Sequence, residues 1–134
     1  MFVHMPTNLI QHIEWSSRDP KRLQKFFSKV FDWEFKNSMP GYTIMPGIGG
    51  IFDIAKMPEM PSSITSYVNV ANLEKTEKAI TKAGGTIYKS NQDVPGMGRF
   101  SIFGDVDGNT MAIWEATAMP AKKPAPKKKK PAKR

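Results

Sequence analysis

His12 and Glu14 stand two residues apart in Leu9-Ile10-Gln11-His12-Ile13-Glu14-Trp15, a stretch in which polar and apolar types alternate. A strand sends every second side chain to the same side, so the imidazole and the carboxylate share a face. Together they offer two chemistries. One is a nitrogen and an oxygen donor for a divalent metal. The other is Glu14 as a general base beside a polarising His12, with proton abstraction as the reaction class.

Strand alternation extends this face to other elements. In Ile64-Thr65-Ser66-Tyr67-Val68-Asn69-Val70, the apolar Ile64, Val68 and Val70 form the core set, leaving Thr65, Tyr67 and Asn69 opposite. In Thr110-Met111-Ala112-Ile113-Trp114-Glu115, Met111 and Ile113 point to the core and Ala112 and Trp114 to the cavity. In the first strand Ile13 and Trp15 pack beneath a helix, and Ile10, His12 and Glu14 face the cleft. The predicted lining is therefore His12, Glu14, Thr65, Tyr67, Asn69 and Trp114, polar groups beside aromatics, as small-molecule sites generally offer.

Two helices position these strands. Asp19-Pro20 supplies an N-cap and a first-turn proline, and Leu23, Phe26, Phe27, Val30 and Phe31 follow as one apolar stripe. Asn72 caps the second helix, whose stripe is Leu73, Thr76, Ile80 and Ala83, and Gly84-Gly85 ends it. Short strands are predicted at Trp33–Lys36, Tyr42–Met45 and Ile51–Ile54, then at Thr86–Lys89, Arg99–Phe103 and Thr110–Glu115. Strand, helix and three strands thus occur twice. The caps Asp19 and Asn72 are 53 positions apart, and the same offset carries His12 onto Thr65 and Trp33 onto Thr86. The repeat implies a duplicated module, with two similar sheets that pack or join.

The net charge of +8 is local. Eight of the twenty Lys and Arg residues lie in the tail Ala121-Lys-Lys-Pro-Ala-Pro-Lys-Lys-Lys-Lys-Pro-Ala-Lys-Arg134, and the remaining twelve balance twelve acidic residues. The tail has no apolar face and reads as disordered, with Lys127, Lys128, Lys129 and Lys130 suited to weak, salt-sensitive contacts with nucleic acid phosphates. The chain has no cysteine, which excludes disulfides, thiol nucleophiles and thiolate metal sites. No apolar run is long enough for a membrane span, and the start has no leader pattern, so a cytoplasmic protein with no membrane partner is expected. Gly47-Ile48-Gly49-Gly50 opens no helix and reads as a hairpin turn. Asp105, Asp107 and Asn109 resemble a calcium loop without its closing Glu and read as a turn bonded by its own side chains.

Three stretches, His12–Phe35, Tyr67–Gly85 and Gly98–Ala116, resemble in order and interval the vicinal oxygen chelate superfamily of glyoxalases, bleomycin-resistance proteins and extradiol dioxygenases. The resemblance implies an α+β fold, two βαβββ modules forming a curled mixed sheet around a cleft. It places an extension at residues 1–8, the domain at 9–118 (modules 9–56 and 63–117) and the tail at 119–134. It also implies a homodimer and, in metal-dependent members, inner-strand ligands for a divalent ion. His12 occupies the first ligand position, Thr65 its duplicate, and Ala112 the last-strand position where a carboxylate is expected. The fourth-strand position falls on Phe52 or Asp53. Such a site needs about three or four N/O ligands with open positions. This set is short of that, so no cofactor is firmly implied and a metal is disfavoured. Three readings follow: a small-molecule-binding protein with an incomplete metal site, a metal-dependent lyase, isomerase or dioxygenase recruiting Asp53 or a partner-chain residue, and a nucleic-acid-associated protein acting through its tail. Whether the chain is an enzyme is left open.

Overall fold

The computed structural model describes residues 7–117; the tail lysines lie outside these residues, as does His4. Ten elements run in the order β1 (Leu9–Ser17), α1 (Pro20–Phe31), β2 (Lys36–Met39), β3 (Tyr42–Met45), β4 (Gly49–Asp53), β5 (Ile64–Asn69), α2 (Leu73–Lys82), β6 (Thr86–Val94), β7 (Gly98–Gly104) and β8 (Thr110–Ala116). All eight strands form one open mixed sheet in the order β2-β3-β4-β1-β5-β8-β7-β6. The two predicted sheets are therefore joined, through an antiparallel pairing of β1 with β5. Within each βαβββ unit the first strand runs parallel to the last, β1 with β4 and β5 with β8. Among the described residues no helix is long and apolar enough to cross a membrane.

The caps set where the helices begin. Asp19 Oδ1 accepts from the Arg22 N–H at 3.2 Å, and Asn72 Oδ1 accepts from the Lys75 N–H at 2.8 Å, each satisfying a donor that the first turn leaves free. A third such donor, the Leu73 N–H, is taken by Glu115 Oε1 at 2.7 Å, which ties α2 to β8. Arg99 of β7 pairs with both Glu74 and Glu115, and Ser101 donates to Glu77. The Asp105 turn is closed from within: Asp105 Oδ1 accepts from Asp107 and Asn109 N–H groups at 2.9 and 2.8 Å.

Register shows that both helices cover the same face. Trp15, opposite Ile64 and Ile51, packs on Phe27 of α1. Val68, opposite Ile113, packs with Phe103, Val70, Leu73 and Ile80 of the α2 side. The fully buried side chains Ile51, Ile54, Leu73, Ile113 and Ser101 mark this layer. Among the described residues the other sheet face carries no helix.

Three expectations need correction. The strand after α1 begins at Lys36 rather than Trp33. Helix α1 closes with Asp32 in the left-handed region (φ 59°). Trp33 and Phe35 then stack on Phe27 and Phe31, and the Trp33 carbonyl accepts from Ser28 Oγ, so the segment belongs to the helix layer. Second, the α1 stripe is only half used: Phe26, Val30 and Phe31 are each more than half exposed in the single chain. Third, Ile64 lies on the helix-bearing face, yet it is 64% exposed at the outer end of β5 and is not part of the core.

The two helix layers differ in how much they bury, which gives a direct check. Ile113→Ala empties a fully enclosed site and should cost about 2–5 kcal/mol. Val30→Ala, at a 52% exposed position, should cost under about 1 kcal/mol. Urea unfolding midpoints at unchanged m-value report both.

Candidate functional site on the helix-free face

The face opposite the helices is assigned by the β1–β5 ladder. His12 pairs with Tyr67 and Glu14 with Thr65, so these four side chains share it. The register slips between Ile10 and His12, leaving Gln11 as a bulge. Ile10 consequently pairs with Val68 and turns to the helix face, not to the cleft that simple alternation predicts. The open face adds Gly50 and Phe52 of β4, Tyr42 and Ile44 of β3, Ala112 and Trp114 of β8, and Phe100 of β7, all by direct pairing.

Four polar groups converge at its centre. The Tyr67 hydroxyl donates to Glu14 Oε1 at 3.1 Å. The Tyr42 hydroxyl lies close enough to the same carboxylate for each to shift the other, and His12 Nε2 lies 2.5 Å from that hydroxyl oxygen. Either partner of the His12–Tyr42 bond can be the donor, according to the imidazole tautomer. The result is one polar cluster of His12, Tyr42 and Glu14, joined by Tyr67 from the other module. Burial raises the Glu14 carboxyl above its ordinary value, opposed by the two phenols. Burial lowers the His12 imidazole. Both phenols are pushed up, first by burial and then by the Glu14 charge. At neutral pH this arrangement holds an uncharged imidazole, two protonated hydroxyls and a carboxylate that takes up a proton more readily than an exposed one. Hydrogen bonding and proton exchange with a bound molecule are both within its reach.

Sequence reasoning missed Tyr42 and misread the glycines that admit it. A Cβ on Gly50 would lie 2.5 Å from Tyr42 Cε2 and 2.6 Å from Cζ, so the tyrosine ring fills the space a side chain there would occupy. A Cβ on Gly49 would strike the Ile13 carbonyl. The pair is part of β4, after the turn, and is small because β1 and Tyr42 approach closely. The only sequence signal for this was two glycines in succession where one suffices for a turn.

The remaining predicted residues are placed as follows. Thr65 lies opposite Glu14, and Asn69, 5% exposed, lies opposite Trp114. Trp114 also pairs with Phe100, whose ring meets Tyr67 edge-on at 6.0 Å. Asp53 is not with them. It pairs with Ser17 on the helix-bearing side, and its Oδ1 accepts from the Ala55 N–H at 2.8 Å. Glu115 is likewise on the helix face, as its odd spacing from Ala112 predicts.

The register also identifies the fourth-strand position that spacing left between Phe52 and Asp53. Glu14 pairs with Gly50 as Tyr67 pairs with Ala112, and the offset of 53 equates Glu14 with Tyr67, so Gly50 is the counterpart of Ala112. Tyr42 then corresponds to Phe100 and Phe52 to Trp114. A divalent metal at this place would draw on His12 and Glu14, with Thr65 as a weak third donor and none from Gly50 or Ala112. His12 Nε2 is already engaged by Tyr42. Among the described residues no group of three or more His, Asp and Glu is arranged to hold a metal ion. The donor set does not fit one. Two hollows of about 700 and 660 Å³ lie around the start of α1 and along its Leu23–Phe26 side; Tyr42 and Asp53 line the first, and neither is lined by His12, Glu14 or Tyr67. In the single chain the polar centre is a patch on an open sheet face.

Comparison with known proteins follows the same lines. The family profile described as Glyoxalase/Bleomycin resistance protein/Dioxygenase superfamily matches residues 9–113. A glyoxylase-like domain-containing protein of Didymella fabae is 34% identical over 119 residues, covering 78% of this chain and 91% of that one. CFP32 of Mycobacterium bovis is 22% identical over 120 residues, which are 78% of this chain and 44% of CFP32, so this chain spans less than half of that relative. A crystal structure of a glyoxalase/bleomycin resistance protein/dioxygenase superfamily member from Vibrio splendidus superposes with a TM-score of 0.56 at 17% identity, covering 77% of this chain and 95% of the other.

Two variants test this geometry. Gly50→Ala overpacks the Tyr42 ring and should cost about 1–3 kcal/mol. Part of that cost should return in the Tyr42→Ala background, because the contact with the Thr43 carbonyl remains; a double-mutant cycle measures it. Glu14→Gln tests the raised carboxyl. Between the ordinary glutamate value of 4.5 and the raised folded value, the folded state binds more protons than the unfolded one, so parent stability falls as pH rises. The stability of Glu14→Gln relative to the parent should therefore grow as pH rises through that window and level off above it, as read from denaturation at stepped pH.

Proposed function

The chain belongs to the glyoxalase/bleomycin resistance protein/dioxygenase superfamily, and within it we propose that this protein binds a small organic molecule against the helix-free face of its sheet, without a metal ion. The observation that carries this reading is the convergence of His12, Tyr42, Glu14 and Tyr67, contributed by both modules, at the place where a metal centre would need a full donor set. The hydroxyls and carboxylate supply directed polar contacts, and Tyr42, Tyr67, Phe100 and Trp114 supply ring surface. Thr65 and Asn69 are the flanking contacts. His12 and Glu14 are the pair through which a proton would pass if the bound molecule reacts. We read the protein as a cytoplasmic homodimer, with a second copy or the ligand itself covering the open face.

The metal-dependent alternative makes the opposite demand on His12. Protein loaded with zinc or nickel and then dialysed should retain less than one ion per chain, and His12→Ala should leave that amount unchanged, as measured by elemental analysis. One ion per chain, lost in His12→Ala, overturns the metal-free reading. A fragment screen by NMR tests binding itself: hits should move the Tyr67 and His12 ring signals. Tyr67→Ala should weaken them by about tenfold or more, as removal of a buried aromatic contact of about 1.4 kcal/mol would.

A further inference from the structure

We infer that the molecule bound on the helix-free face is an organic cation, a protonated or quaternary amine, with Glu14 as its counter-charge. This rests on the proposed placement of the site on that face and adds the chemical class of its ligand.

The inference comes from which charges are absent, among the described residues, around a half-buried carboxylate. Among the described residues, what meets Glu14 is uncharged: Tyr67 by hydrogen bond, Tyr42 close by, Thr65 across the ladder, Gly50 beside it on β4, and His12, which burial keeps neutral. The cations of the described residues are elsewhere. Arg99 is on the helix face, bonded to Glu74 and Glu115. Arg18 donates to the Pro58 and Met60 carbonyls. The other basic residues of the first module mostly lie on α1, those of the second mostly on α2, and Lys56 follows the far end of β4. Only Lys36 and Lys89 share the open face by register, opposite Ile44 and Ile102. They stand on the two outermost strands, three and four strands away from β1, which carries Glu14.

A carboxylate in that setting rejects an anionic ligand, which would bring a like charge into a partly desolvated patch with nothing to neutralise either. A cation does the reverse. It supplies the missing opposite charge, and the surrounding rings favour it a second time. Tyr42, His12, Tyr67 and Phe100 run across the sheet with centroids 6.2, 5.6 and 6.0 Å apart. Such ring faces attract an ammonium group within about 6 Å. The charge thus comes from β1, and the ring surface from β3, β5 and β7.

Three probes of similar size separate the charge classes: benzyltrimethylammonium, benzyl alcohol and benzoate, titrated into the full chain while the His12 and Tyr67 ring signals are followed by NMR. The cation should bind at least about tenfold more tightly than either other probe, more weakly at high salt. That advantage should vanish in Glu14→Gln, a variant whose fold the loss of a half-buried charge does not threaten. Equal or tighter binding of benzyl alcohol or benzoate at the same signals overturns the charge assignment while leaving the site in place. A cation advantage that survives Glu14→Gln overturns the role of Glu14. If no probe moves either ring, the site and its ligand class fall together.

Discussion

The structure depends on one antiparallel pairing, β1 against β5. Among the described residues it is the only ladder that joins the two βαβββ units, and it fixes which side chains of one unit share a face with those of the other. Because side chains alternate with period two, a slip of one residue in this ladder would exchange the two faces of half the sheet. The bulge at Gln11 makes such a slip for Leu9 and Ile10 alone. It turns Ile10 to the side of Val68 and the helices, where it is 56% exposed, while His12 and Glu14 keep to the open side. The core layer and the polar centre are two outcomes of the same register.

The polar centre is built by close approach as much as by its functional groups. Gly50 on β4 and Ala112 on β8 occupy equivalent places beside the central pair, and both are small. Each lets a ring from the next strand lean inward, Tyr42 over Gly50 toward His12, and Phe100 toward Tyr67 beside Ala112, which is fully buried. At Gly50 the room left by the missing side chain is taken by the Tyr42 ring. The groups gathered there are phenols, one carboxylate and ring faces.

Much of this was legible in the sequence, for physical reasons that can be named. The helix starts were visible because Asp19 and Asn72 do local work, each bonding an N–H three residues on. The duplication was visible because two caps and two first strands keep one offset. The α+β class and the family followed from those intervals. What stayed hidden depended on contacts between distant segments. Tyr42 reads as an ordinary strand tyrosine until β4 is placed beside β1, and Gly49-Gly50 reads as a turn until the Ile13 carbonyl and the Tyr42 ring are seen to need the room. Asp53 and Phe52 were ambiguous because short turns permit either register, and only the β1–β4 ladder shows which face each takes. Alternation misplaced Ile10 for a related reason: a bulge has no reliable signature in one strand read alone.

The duplication has one last consequence. A surface made of two equal halves would present the same features to a ligand and to that ligand turned end for end, and two opposed poses would be degenerate. Here the halves have diverged at matched places: Glu14 faces its counterpart Tyr67, and Tyr42 with its hydroxyl answers Phe100 without one. The carboxylate and the imidazole therefore stand on the first-module side, and on the second Tyr67, Thr65 and Asn69 set neutral polar groups beside Phe100 and Trp114. The face has a direction, with the Glu14 carboxylate on one side of the β1–β5 seam and the Tyr67 hydroxyl at the matched place on the other.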